Sequence, residues 1–254
     1  MTKILAIGLN VFREAIRDKI LYNLLFFAIL MIAGAGLLST LTVGERTKII
    51  IDLGLAGINI FGVLIAIFLG ISLVSKEIDK RTIYTILSKP IRRSQFLLGK
   101  YVGLLITLMV NTVIMSAVFA AALWYMRAPV PGEAFETIGM IYLELMVVTA
   151  VGLFFSTFTT ATLSAIFTIA VYVIGHTSGD LLGVAKKASA GSRWLLEILY
   201  YALPNLENFN FKGYASHLTP IPEHLIGFGL LYGLAYIALL LVFSIAIFQS
   251  REFK

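Results

Sequence analysis

The chain has 254 residues, of which 59% are hydrophobic and 13% charged, against about 25% charged in an average soluble domain. That deficit excludes an ordinary soluble domain and places the chain in a lipid bilayer. The formal charge of +6 sits beside apolar runs and not on a soluble face, so anionic headgroups and a cytosolic partner are expected and nucleic acid is not; without cysteine, disulfides and thiolate metal chemistry are excluded.

Residues Thr2 to Lys19 place Leu5, Leu9, Phe12 and Ile16 on one helical face, with Lys3, Asn10, Glu14 and Arg17 on another. This spacing predicts an amphipathic helix, residues 1–19, in the inner interface. The alternative is a plain extension of the first span, which would take cations into lipid at about 2.5–3.5 kcal/mol each near the centre. Ile20 to Val43 is too long for the apolar core of a cleavable signal and is expected to be span one. Glu45, Arg46, Lys48 and Asp52 form a short outer connection, and Gly54 to Ser75 is span two.

Lys76 to Lys100 follows, with seven cations: Lys76, Lys80, Arg81, Lys89, Arg92, Arg93 and Lys100. Charge this dense between two uncharged runs marks a cytoplasmic loop, 76–94. Glu77 to Leu87 can form a helix until Pro90 forces the chain out of it. Ser94 can cap the third span, 95–126, with Lys100 snorkelling to the headgroups and Trp124 and Tyr125 at the outer interface.

Pro129, Pro131 and Gly132 make Arg127 to Glu136 an outer loop. Between Thr137 and Ser178 the only Asp, Glu, Lys or Arg is Glu144. That stretch is twice the length of one crossing, so two spans, 137–156 and 161–178, are expected, turning at Ser156, Thr157, Thr159, Thr160 and Thr162. The outer segment, 179–223, contains Trp194 to Leu203, too short to cross and ended by Pro204. It reads as a re-entrant or interfacial helix, with a seventh span as the alternative. The last span is 225–248. With both termini cytoplasmic, 13 Lys and Arg fall inside and 7 outside, which supports six spans in that orientation.

Few residues within the spans carry chemistry. Glu144 suggests a substrate pathway, or else a hydrogen bond to a neighbouring helix or a snorkel to the interface. Asn59 and Asn111 near mid-membrane suggest either substrate contact or interhelical packing. His176, His217 and His224 lack metal-ligand spacing. Gly99 to Gly103 and Gly229 to Gly233 are both G-x-x-x-G, which permits close helix contact and also arises by chance in Gly-rich spans.

The run KEIDKRTIYTILSKPIRRSQFLLGKYVG resembles the signature of permease subunits of ATP-binding-cassette exporters of the second exporter type. The matching residues are Glu77, Arg81 and Thr82, then Leu87, Ser88, Lys89, Pro90, Ile91 and Arg93, then Gly99 and Lys100. Arg81 in place of the commoner Gly, together with ALPNLENFNFKG from Ala202 to Gly213, is similar to the copper-enzyme-maturation branch. The resemblance implies an all-α membrane protein, a single permease domain over residues 1–254. Its parts would be six transmembrane helices, an N-terminal elbow helix, a cytoplasmic coupling helix and an outer re-entrant or interfacial helix.

It also implies ATPase coupling through Glu77, Asp79, Lys80, Arg81, Thr82, Lys89, Pro90 and Arg93. Two permeases, as a homodimer or with a paralogue, would pair with two cytosolic ATPase subunits in the cytoplasmic membrane. No G-x-x-x-x-G-K-[ST] phosphate loop occurs. ATP and Mg are therefore expected in the partner, with no cofactor and no catalysis in this chain. The alternatives are a secondary transporter, for which Glu144 would be the sole acidic candidate, and a membrane enzyme, for which clustered His, Cys or paired carboxylates are lacking.

Overall fold

Asp18 breaks the first apolar run into two helices. The structure, a computed structural model, describes residues 3–40, 45–79, 92–179 and 190–250. Helix α1 (Lys3–Ile16) and helix α2 (Lys19–Thr40) meet at a bend of 67°. The Asp18 carboxylate accepts the Ile20 N–H at 3.0 Å, capping α2 as a separate helix. On α1, Gly8, Val11 and Ala15 are buried, while Leu5 and Ile16 of the predicted apolar stripe are exposed. The small residues thus face protein, and the large ones lie where lipid would cover them.

Helix α3 (Arg46–Asp79) is 34 residues long, about 51 Å against a hydrocarbon core of about 30 Å. Arg46, Lys48 and Asp52 therefore belong to its first turns and not to a separate connection. Lys76, Glu77 and Asp79 continue the same helix, so Glu77 does not begin a new one. Lys80, Arg81, Thr82, Lys89 and Pro90 lie outside the described residues.

Helix α4 (Arg93–Tyr125) starts two residues before the expected Gln95, with Arg92 as its N-cap. The Arg92 N–H donates to Gln95 Oε1 at 3.2 Å, which places Ser94 in the first turn and not at the cap. Lys100 does not snorkel. It is 2% exposed, and its ammonium lies 5.7 Å from the centre of the Phe96 ring. Gly99 and Gly103 set α4 directly against α1. A Cβ at Gly103 would meet the Gly8 carbonyl oxygen and Val11 Cβ, each at 2.6 Å. Trp124 and Tyr125 are exposed. Arg127, at φ 54°, turns the chain back.

Helix α5 (Gly132–Ser156) begins five residues before the expected Thr137, directly after Pro131. The chain turns at residues 157–160, as predicted, into α6 (Ala161–His176). These two helices approach closely through small residues, and Ser164 Oγ donates to the Gly152 carbonyl at 3.0 Å. Tyr101 and Tyr142 fasten α4 to α5 reciprocally, each donating to a carbonyl of the other helix, Met146 at 3.1 Å and Leu105 at 3.0 Å.

Helix α7 (Ala190–Ala202) has 13 residues and exposes Trp194 and Tyr201. After Pro204 come a single 3-10 turn (Leu206–Phe209), α8 (Lys212–Ser216) and α9 (Glu223–Ser250). Among the described residues, α3, α4, α5 and α9 are each long and apolar enough to cross a membrane, and α1 with α2 makes a bent fifth candidate. Helix α6 has 16 residues, about 24 Å, and falls short of the core thickness.

The stretch after Pro204 fills the height that α6 leaves. Leu206, Phe209 and Phe211 are buried, and a Cβ at Gly233 would meet Leu143 at 3.0 Å and Phe209 at 3.1 Å. Gly233 lies ten residues into α9, about 15 Å below its start. The 3-10 turn thus sinks into the bundle. Tyr232 and Tyr236 of α9 hold the entry to it: the Asn205 N–H donates to the Tyr232 hydroxyl at 2.8 Å, and the Tyr236 hydroxyl donates to the Ala202 carbonyl at 2.9 Å.

Candidate functional site

Because α5 starts at Gly132 and ends at Ser156, Glu144 sits at its midpoint. It is fully buried, and so is Asn59 on α3. Asn59 Nδ2 donates to Glu144 Oε2 at 2.7 Å, and the Tyr172 hydroxyl of α6 donates to Asn59 Oδ1 at 2.7 Å. His176, one turn beyond Tyr172, brings Nε2 to 3.5 Å from Glu144 Oε1. Three helices therefore meet in one polar chain: Tyr172, Asn59, Glu144 and His176.

Packing fixes each member. A Cβ at Gly62 would meet Leu145 Cδ1 at 2.7 Å, so α3 lies hard against α5 just beside the Asn59 and Glu144 pair. Glycine is needed again at Gly175, where a Cβ would meet the Pro204 carbonyl at 2.7 Å and Leu206 Cγ at 2.8 Å. That close approach seats the segment after Pro204 on the end of α6, next to His176. The rings of Tyr172 and His176 have centroids 4.6 Å apart, and His176 Nδ1 lies 3.3 Å from the Tyr172 carbonyl.

Two of the three residues expected to line a pathway thus come together, and the third does not. Asn111 is buried on α4 and donates to the Thr107 carbonyl of its own helix at 2.8 Å. Tyr172 went unmarked in the sequence, and His176 was weighed only for metal ligation. Among the described residues no three of His, Cys, Asp and Glu converge as a metal site. His217 and His224 are exposed.

At the opposite end of the bundle, Arg93 is the one proposed coupling residue whose side chain is described. Its guanidinium donates to the carbonyls of Phe248 at 3.0 Å and Gln249 at 3.2 Å, the last turn of α9. Phe96 stacks on Phe248 with centroids 6.1 Å apart. The start of α4 and the end of α9 are thus one unit beside the basic segment. Glu77 and Asp79 lie in the last turn of α3, on the other side of it.

A family described as ABC-2 family transporter protein matches residues 5–253 of the chain. The search of curated proteins gave no match.

Proposed function

Because the chain belongs to the ABC-2 family of transporter proteins, a membrane component of an ABC transporter, we propose that it is the permease of an ATP-driven exporter, energised by a separate cytosolic ATPase that docks beneath residues 76–94. The observation that carries this reading is the basic segment joining α3 to α4, two long apolar helices, in a chain of this family. Glu77, Asp79, Lys80, Arg81, Thr82, Lys89 and Pro90 make the docking surface. Arg93 anchors the segment's exit to α9. ATP and Mg bind in the partner.

Helix α3 supplies the lever. It runs without a break from Asp79 to Asn59, 20 residues or about 30 Å, so closure of the ATPase displaces the polar chain at Glu144 directly. Two permease copies form the pathway, each with six spans and cytoplasmic termini. In this arrangement α6 and the sunken segment after Pro204 together make one crossing. Arg81 and Thr82, with Ala202 to Gly213, resemble the copper-enzyme-maturation branch, and we place the transporter nearest to it.

The test is co-purification of the chain with its ATPase, followed by transport. A charge-assisted hydrogen bond contributes about 1.5–3 kcal/mol. Glu77→Ala with Arg81→Ala should insert normally, yet bind the ATPase about tenfold more weakly or worse and lose transport. Wild-type binding together with wild-type transport in that variant would remove the docking role.

A further inference from the structure

The unmatched atoms of the polar chain point to a ligand. The Tyr172 carbonyl can only accept, so at 3.3 Å the His176 Nδ1 carries the hydrogen, and Nε2 of the neutral ring presents a lone pair. Asn59 is oriented on both sides: its NH2 donates to Glu144 Oε2 and its carbonyl accepts from the Tyr172 hydroxyl. That leaves Glu144 Oε1 and His176 Nε2, both buried and without a hydrogen-bond partner, facing each other at 3.5 Å. Two acceptors in this position repel unless something positive lies between them.

We propose that Glu144 and His176 form a proton-binding site that holds one exchangeable proton between Oε1 and Nε2. The surroundings select a proton over a larger cation. Glu144 is 0% exposed, its other carboxylate oxygen is taken by Asn59, and among the described residues no three of His, Cys, Asp and Glu converge to hold a metal ion. A proton needs no cavity. Closing the gap takes a movement of a few tenths of an ångström, to within about 3.2 Å. Asn59 of α3 and the Tyr172 hydroxyl of α6 are the other polar groups of the chain and hold no net charge. Beyond them, the charged groups acting on the pair are Lys212 and Glu207, of opposite sign, from the segment above. The site stands apart from the ATP-driven reading, since it rests on these four residues alone.

Nitrogen NMR on the full-length chain in lipid nanodiscs, labelled at histidine, tests it. His217→Gln with His224→Gln removes two exposed rings and leaves His176 as the only signal. In the shared-proton site, Nε2 should be hydrogen-bonded and should not titrate around pH 6.5, where a free imidazole does. Adding Glu144→Leu should abolish the hydrogen-bonded signature, because Nε2 then faces no group that can hold a proton against it. An Nε2 with the signature of a bare lone pair throughout, titration around pH 6.5, or a signal indifferent to Glu144→Leu would each overturn the proposal. The spectrum with Glu144 intact carries the first two outcomes, so misfolding of the Glu144 variant leaves them decisive.

Discussion

Arg93 donates to the carbonyl of Phe248 at 3.0 Å across 155 residues of sequence, closing the C-terminal turn of α9 with a side chain from the start of α4. The last carbonyls of a helix lack intrahelical donors and carry its negative dipole end, so a guanidinium there supplies both hydrogen bonds and charge. Arg93→Ala should lower stability in detergent by about 1–2 kcal/mol and speed labelling of a cysteine at Ser250. Arg93→Lys should recover only part, because an ammonium does not fork across two carbonyls as a guanidinium does. Unchanged melting and labelling in Arg93→Ala would remove the cap from the account.

Gly103 and Gly227 make a contrasting pair. Gly103→Ala pushes a methyl into the Gly8 backbone and should cost about 1–3 kcal/mol, with α1 displaced from α4. Gly227 has nothing within 4 Å, so Gly227→Ala should be neutral or stabilise by up to about 1 kcal/mol through helix propensity. Thermal unfolding in one detergent compares them, and equal losses would mean that the α1 contact is not close.

The polar chain should behave as a unit. Asn59→Leu leaves both Glu144 Oε2 and the Tyr172 hydroxyl without their partner, and each stranded group costs about 1–3 kcal/mol. Tyr172→Phe removes one donor and should cost about 0.5–2 kcal/mol. The double variant should fall short of the sum by about 0.5 kcal/mol or more. Strict additivity would show that the two bonds are independent.

Topology can be read in this cysteine-free chain by single cysteines. An impermeant reagent applied outside should label Ser189→Cys and Asn210→Cys, whereas Thr160→Cys, exposed at the turn between α5 and α6, should react only from the cytosolic side. Labelling of Thr160→Cys from outside would reverse the orientation of the α5 and α6 hairpin.

Helices α2 to α6 and α9 appear close to where hydropathy placed them, because apolar runs, prolines and the threonine turn at 157–160 act on their own neighbourhoods. The boundaries moved for equally local reasons. Gln95 holds the Arg92 N–H and so starts α4 early, and Asp18 caps α2 and so creates the bend. Residues 80–91, which carry most of the coupling signature, are legible in sequence only, as a charge run between two spans.

What the chain by itself determined is its class, its segments and its basic loop, since transfer into lipid acts on each segment independently. The tertiary structure alone decided which faces meet. Asn59 and Glu144 are 85 residues apart, Tyr172 and Asn59 are 113 apart, and no spacing relates them. Lys100 is buried and the turn at Leu206 is sunk for the same kind of reason, a neighbour supplied from elsewhere in the chain. In a bilayer an apolar side chain is nearly as well placed against lipid as against another helix. Hydropathy therefore fixes what enters the membrane, while close approach at glycine and the pairing of a few polar groups select the partner once it is there.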